Sequence, residues 1–153
     1  SHVVDSSSIY SCTKIVDRKL ERGSGADYAV LELDRKVTGR EPLKMRSEGK
    51  ISTGEQIVVI GHPTGLPSKV SGDAYVRNNS RQAWFASNLD TFGGNSGSAV
   101  FNATNGQVEG ILVRGHTDYT YDSQNACRRP VYCDMNECRG EDVTRITTID
   151  LFN

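Results

Sequence analysis

The chain has 153 residues, enough for one domain with a true core. Its charge is balanced at −1, from 18 Lys and Arg against 19 Asp and Glu, so no basic stripe marks a nucleic-acid partner and no like-charge run marks a disordered tail. No apolar run approaches the length of a membrane span, and no signal peptide is visible. The chain opens Ser1-His2-Val3-Val4, and we expect a mature form or a fragment.

In chain order the elements read mostly as β-strands. Ile9–Val16 alternates loosely and predicts a strand. Tyr28–Leu33 is a short apolar run bounded by Gly25 and by Asp34-Arg35. Gln56–Gly61 carries Ile-Val-Val-Ile, a buried strand ended by the turn Gly61-His62-Pro63-Thr64-Gly65. Lys69–Arg77 and Gln82–Asn88 predict a hairpin around Asn78-Asn79-Ser80. Ser98–Asn102 and Gln107–Arg114 predict another, turned by Asn105-Gly106. Glu141–Leu151 alone has helical character and predicts a short C-terminal helix. Short strands at this spacing predict an all-β antiparallel barrel or sandwich, without repeats or linkers.

The cysteines are Cys12, Cys127, Cys133 and Cys138, an even number with three in a polar stretch. Disulfides and export to a secreted or periplasmic location are favoured. A zinc site of three Cys and a His is the rival, but no C-x-x-C occurs and the gaps are irregular. Free thiols in the cytosol are the third possibility. Of three possible pairings, Cys133–Cys138 with Cys12–Cys127 is preferred.

The densest chemical signal is Gly93-Gly94-Asn95-Ser96-Gly97-Ser98-Ala99-Val100. A serine among glycines lets backbone N–H groups approach a reacting carbonyl while the flanking structure holds the hydroxyl. The same letters also suit a plain turn between strands. A serine nucleophile needs a base, usually His, and a carboxylate to orient it. The histidines are His2, His62 and His116; Asp27, just ahead of an apolar strand, is the candidate carboxylate or a turn residue.

Together, Asp27-Tyr28-Ala29-Val30-Leu31 and Asp90-Thr91-Phe92-Gly93-Gly94-Asn95-Ser96-Gly97-Ser98 resemble the chymotrypsin-fold serine peptidases. The likeness is strongest to the bacterial trypsin-like and glutamyl-endopeptidase-like branch and runs from residue 2 to about residue 116. Ser1-His2-Val3-Val4 resembles that family's His-Val-Val motif, and the order His, Asp, Ser fits. The resemblance implies a double antiparallel β-barrel with a truncated N-terminal barrel. Residues 1–50 would be the remainder of the first barrel, and residues 51–153 the second. It implies a Ser96 nucleophile, a His2 base, an Asp27 orienting group and an oxyanion hole from the Gly94 and Ser96 N–H groups. His62 is the rival base, and His116 is expected to line the groove or to be exposed. Without upstream strands to fix His2, the isolated chain is expected to be weak or inactive.

The resemblance places Asp90, six residues before Ser96, where trypsin-like members bind a basic side chain; a purely structural role is the alternative. Asn95 replaces the Asp that pairs with a newly cut N-terminus in digestive enzymes, so that activation is not expected. Leu112 stands where glutamyl endopeptidases carry a His, which weakens acid specificity. Val113-Arg114-Gly115 would pair with the substrate backbone. Arg114 itself would contact an acidic substrate side chain or point to solvent, and solvent is favoured. Cys127–Glu141 is expected to form a disulfide-bound loop beside the specificity pocket, with Arg128, Arg129, Asp134 and Glu137 as surface charges. The expected partner is a protein or peptide substrate, acted on by a monomer with no cofactor, metal, nucleic acid or membrane. A non-catalytic, partner-binding relative is the alternative. An esterase fits poorly because Ser96 is not in a Gly-x-Ser-x-Gly elbow.

Overall fold

The computed structural model describes residues 3–21 and 25–150. Ten strands and three 3-10 turns make up its regular structure: β1 (Cys12–Leu20), β2 (Asp27–Leu33), β3 (Gln56–Gly61), β4 (Lys69–Asn78), β5 (Trp84–Ser87), β6 (Ala99–Asn102), β7 (Val108–Arg114), β8 (Tyr119–Asp122), β9 (Cys127–Pro130) and β10 (Glu141–Arg145). Six of them close an antiparallel barrel in the order β10-β5-β4-β3-β6-β7, while β1-β2 and β8-β9 form two separate ribbons. The all-β architecture expected from the sequence is present as this barrel.

The barrel forms because its strands alternate. In β3, Ile57, Val59 and Gly61 are buried; in β5, Phe85 and Ser87 are. Ile57, Val59 and Phe85 make one core with Ile51, Ala74, Val76, Leu89, Val100, Leu112 and Val143. Each fully buried Val, Ile, Leu or Phe contributes roughly 1.5–3 kcal/mol. The Asn105-Gly106 turn behaves as expected, with Gly106 at φ +72, in the left-handed region that favours glycine, and Asn102 Oδ1 accepting from the Thr104 and Asn105 N–H groups.

The predicted C-terminal helix is not formed. Residues 141–145 are a strand, followed by a single 3-10 turn at Ile146–Thr148. Val143 and Thr144 are β-branched, and the segment pairs with β5 on one side and β7 on the other. A helix there would spend those backbone groups internally and leave two barrel edges unpaired. All five residues of β10 are buried, so no exposed helical face exists.

Ahead of the barrel, β1 and β2 pair only with each other, and every residue of β1 is exposed. Residues 44–46 run beside β7, where Arg46 donates to both oxygens of the buried Glu109 at 2.6 and 2.9 Å. Cys133–Cys138 forms the expected local disulfide. The preferred Cys12–Cys127 pairing does not form: both thiols are free and exposed, one opening β1 and the other β9, strands of different sheets. The expected loop over Cys127–Glu141 is also shorter than anticipated, because its first four residues are β9, paired to β8. Asp122 shapes that hairpin by accepting from the Gln124 and Asn125 N–H groups and by pairing with Arg129 at 2.6 Å.

Candidate active site

The serine loop is built from backbone bonds. Asn95 N–H donates to Phe92 C=O at 3.1 Å, Ser98 N–H to Asn95 C=O at 2.9 Å, and Gly97 N–H to Leu112 C=O at 2.8 Å. Gly94 sits at φ +101, and a Cβ there would press on His62 O and Thr64 N at 3.0 Å. Only glycine meets both demands. The 61–65 turn supports the loop from below: Thr64 N–H donates to Gly93 C=O at 2.7 Å, and a Cβ on Gly61 would collide with Asn95 Oδ1. Asn95 is buried, and its side-chain amide closes onto Phe92 C=O at 3.1 Å. Its neutral amide thus serves the loop itself.

Ser96 is exposed, with Oγ 3.5 Å from Val113 O. Among the described residues, the Gly94 and Ser96 N–H groups have no acceptor. Asp27 opens β2, is half-buried, and lines the same cleft as Ser96. That cleft is 830 Å³, walled by Arg18, Leu20, Tyr28, Ile111 and Val113 among others. Asp27 N–H donates to Thr144 Oγ1 at 3.2 Å. His2 lies outside the described residues. His62, its rival, is committed elsewhere: Nδ1 lies 3.0 Å from Leu66 O and Nε2 3.2 Å from Ser68 Oγ. His116 is exposed and lines a small pocket that also includes Ser96.

Beside Ser96 a small pocket of 70 Å³ is lined by Thr91, Phe92, Gly93, Arg114, Gly115, Glu141 and neighbours. Asp118 shares it, accepting from Gly93 N–H at 2.6 Å. Phe92, His116, Asp118 and Glu141 also wall an adjoining cavity of 340 Å³ that reaches Asp90, Tyr132 and Asp134. Asp90, the sequence's choice for cation recognition, is therefore in the outer cavity and does not line the pocket beside Ser96. Its carbonyl accepts from Ser71 Oγ at 2.8 Å.

Glu141 is the residue that sequence reasoning missed. The sequence pattern places it at the start of a helix, yet β10 brings it beneath Gly115, where an added Cβ would strike its carboxylate. Burial pushes its carboxyl up to about 7; the Asp118 and Asp142 charges push the same way, and hydrogen bonds from Thr91 and the His116 N–H oppose them.

Arg114 corrects a second expectation. Its guanidinium turns inward instead of to solvent, with Nε 2.9 Å from Asp142 Oδ2 and Nη2 donating to Gly25 C=O at 3.0 Å. Asp142 is buried and also receives Arg139. A buried carboxylate draws a cation out of solvent because it would otherwise stand uncompensated. Val113 is half-buried and lines the main cleft.

The chain thus combines a closed β-barrel with a serine on a glycine-constrained loop that lines one cleft together with Asp27. The family model for the trypsin-like peptidase domain matches residues 2–111, and the chain belongs to that family. Its fold is similar to the active form of the Rv3671c protease from M. tuberculosis, with a TM-score of 0.60 at 18% identity over 90% of this chain and 54% of that one. An inactive form of Rv3671c superposes with a TM-score of 0.57 at 18% identity, covering 90% and 61%. An inactive-form mutant of Rv3671c from M. tuberculosis H37Rv gives 0.58 at 17% identity, covering 90% and 59%. The chain thus spans 54–61% of the length of these proteases. No curated protein sequence matches it.

Proposed function

We propose that this chain carries the catalytic machinery of an exported serine endopeptidase that acts as a monomer and prefers a basic residue before the scissile bond. Ser96 Oγ attacks the carbonyl, His2 takes its proton and returns it to the leaving amine, and Asp27 fixes the imidazole tautomer. The Gly94 and Ser96 N–H groups receive the oxyanion. The observation that carries this reading is the shared 830 Å³ cleft, which Ser96 lines from the loop before β6 of the barrel and Asp27 from the start of β2 in the separate β1-β2 ribbon. The Cys133–Cys138 bond supports export, since disulfides persist in oxidising compartments.

The basic preference is supported by two carboxylates, Glu141 and Asp118, lining the pocket next to Ser96, with Asp90 further out. Arg114 adds no free positive charge to that pocket, because Asp142 already holds it. A lysine or arginine side chain would supply the cation that the buried Glu141 lacks.

The test is digestion of a mixed peptide library by the longest natural form, read by mass spectrometry. Cleavage after Lys or Arg, abolished in Ser96→Ala, is the expected result. Binding of peptides without cleavage would favour a partner-binding relative instead.

A further inference from the structure

The segment that delivers Asp27 is gripped by the barrel at two points. Gly25 C=O accepts from Arg114 Nη2 at 3.0 Å, and Asp27 N–H donates to Thr144 Oγ1 at 3.2 Å. Between them Ala26 is 1% exposed. Arg114 belongs to β7 and Thr144 to β10, so both grips come from the barrel and both act on the chain entering β2. β1 and β2 have no strand pairing with the barrel. These contacts therefore do work that sheet hydrogen bonds do elsewhere.

Arg114 is held for this task. Its Nε is fixed by Asp142 Oδ2 at 2.9 Å, and the Asp142 side chain is 2% exposed. Arg139, next to the Cys133–Cys138 loop, grips the same oxygen. A guanidinium with its Nε anchored offers its remaining N–H groups in a fixed plane. A lysine in its place could satisfy Asp142 or Gly25, but lacks the fork to reach both in one geometry.

We propose that Arg114 is a positioning residue: anchored by Asp142, it pins the Gly25 carbonyl and so holds Asp27 at the correct distance and angle in the cleft it shares with Ser96. This rests on the reading of Ser96 and Asp27 as partners in catalysis. Small displacements of such a carboxylate are costly because the imidazole it orients must meet the serine in a narrow range of geometries.

The test uses the longest natural form, with Arg114→Ala, Arg114→Lys and Thr144→Val variants. Amide hydrogen exchange at residues 26–28 should accelerate at least tenfold in Arg114→Ala, while Phe85 and Val143 in the barrel core keep wild-type protection. The rate of fluorophosphonate labelling at Ser96 should fall at least tenfold. Peptide kcat should fall more than KM changes, with Arg114→Lys intermediate. Thr144→Val, which keeps the side-chain shape but removes the acceptor, should move exchange and labelling in the same direction. Unchanged exchange at residues 26–28 in Arg114→Ala and Thr144→Val overturns the proposal, as does faster exchange with wild-type labelling. Absence of labelling in the wild-type protein overturns the peptidase reading itself, a failure separate from the exchange result.

Discussion

The Glu141 carboxylate occupies the space that a side chain at position 115 would need, so Gly115, just past the end of β7, and Glu141, at the start of β10, are a matched pair at the edge of the Ser96 pocket. The match places an acid where solvent reaches poorly.

Protein stability should carry a Glu141 signature in its pH dependence. Burial holds its carboxyl at about 7 in the folded chain, against 4.5 for the unfolded reference. A folded-state value above the unfolded one contributes stability that is complete below pH 4.5 and is lost as pH rises through 7. Glu141→Gln should remove this loss, raising Tm relative to wild type more at pH 8 than at pH 5. Thermal melts at both pH values check it, and a parallel shift at both would contradict it.

Cleavage after lysine or arginine should depend on the charge of the same group. Its ionised form recognises the cation, so kcat/KM for such substrates should rise as pH passes through 7. A charge-assisted hydrogen bond contributes about 1.5–3 kcal/mol, or roughly a tenfold to hundredfold loss in Glu141→Gln. Substrates with leucine at that position should be affected little. Paired kinetics on lysyl and leucyl peptides at pH 8 give the answer.

Gly94→Ala should cost activity more than stability. The substitution puts a Cβ on a residue at φ +101 and against His62 O and Thr64 N at 3.0 Å. The loop must shift, and the Gly94 N–H moves with it. Loss of one oxyanion donor typically reduces kcat ~10²–10³-fold. Burst kinetics with an activated ester substrate should show slower acylation, while circular dichroism retains the β-barrel signal.

Gly110→Ala tests the barrel closure. A Cβ there would strike Thr144 O in the backbone of β10 and Val143 Cγ1 at 2.7 Å. Overpacking of this kind costs about 1–3 kcal/mol, and the register of β7 with β10 would slip locally. Gly72→Ala is the control, with Val58 Cγ2 at 4.0 Å as its nearest neighbour. Denaturant midpoints should fall clearly for the first and stay close to wild type for the second.

Local signals were legible where the chain's own letters decide the structure. Gln56–Gly61 is legible to its ends because Ile-Val-Val-Ile follows the polar Gln56 and runs into a Gly-His-Pro turn. The β6–β7 hairpin followed from Asn105-Gly106. By contrast, Glu141-Asp142-Val143-Thr144-Arg145 alternates no hydrophobic face, because its charged side chains are buried against partners distant in sequence. Arg114 meets Asp142 and Gly25 only after folding, so nothing near it in sequence marks it as other than a surface charge. The serine and aspartate were visible as motifs; the Glu141 carboxylate that lines the small pocket beside Ser96 was not, since its place comes from the packing of β10 beneath Gly115.

The most direct measurement is fluorophosphonate labelling of the longest natural form beside Ser96→Ala and His2→Ala. Labelling of the wild type that is lost in both variants is the expected result, and identifies Ser96 as an activated nucleophile with His2 as its base. A wild-type protein that folds yet takes no label would contradict the central claim.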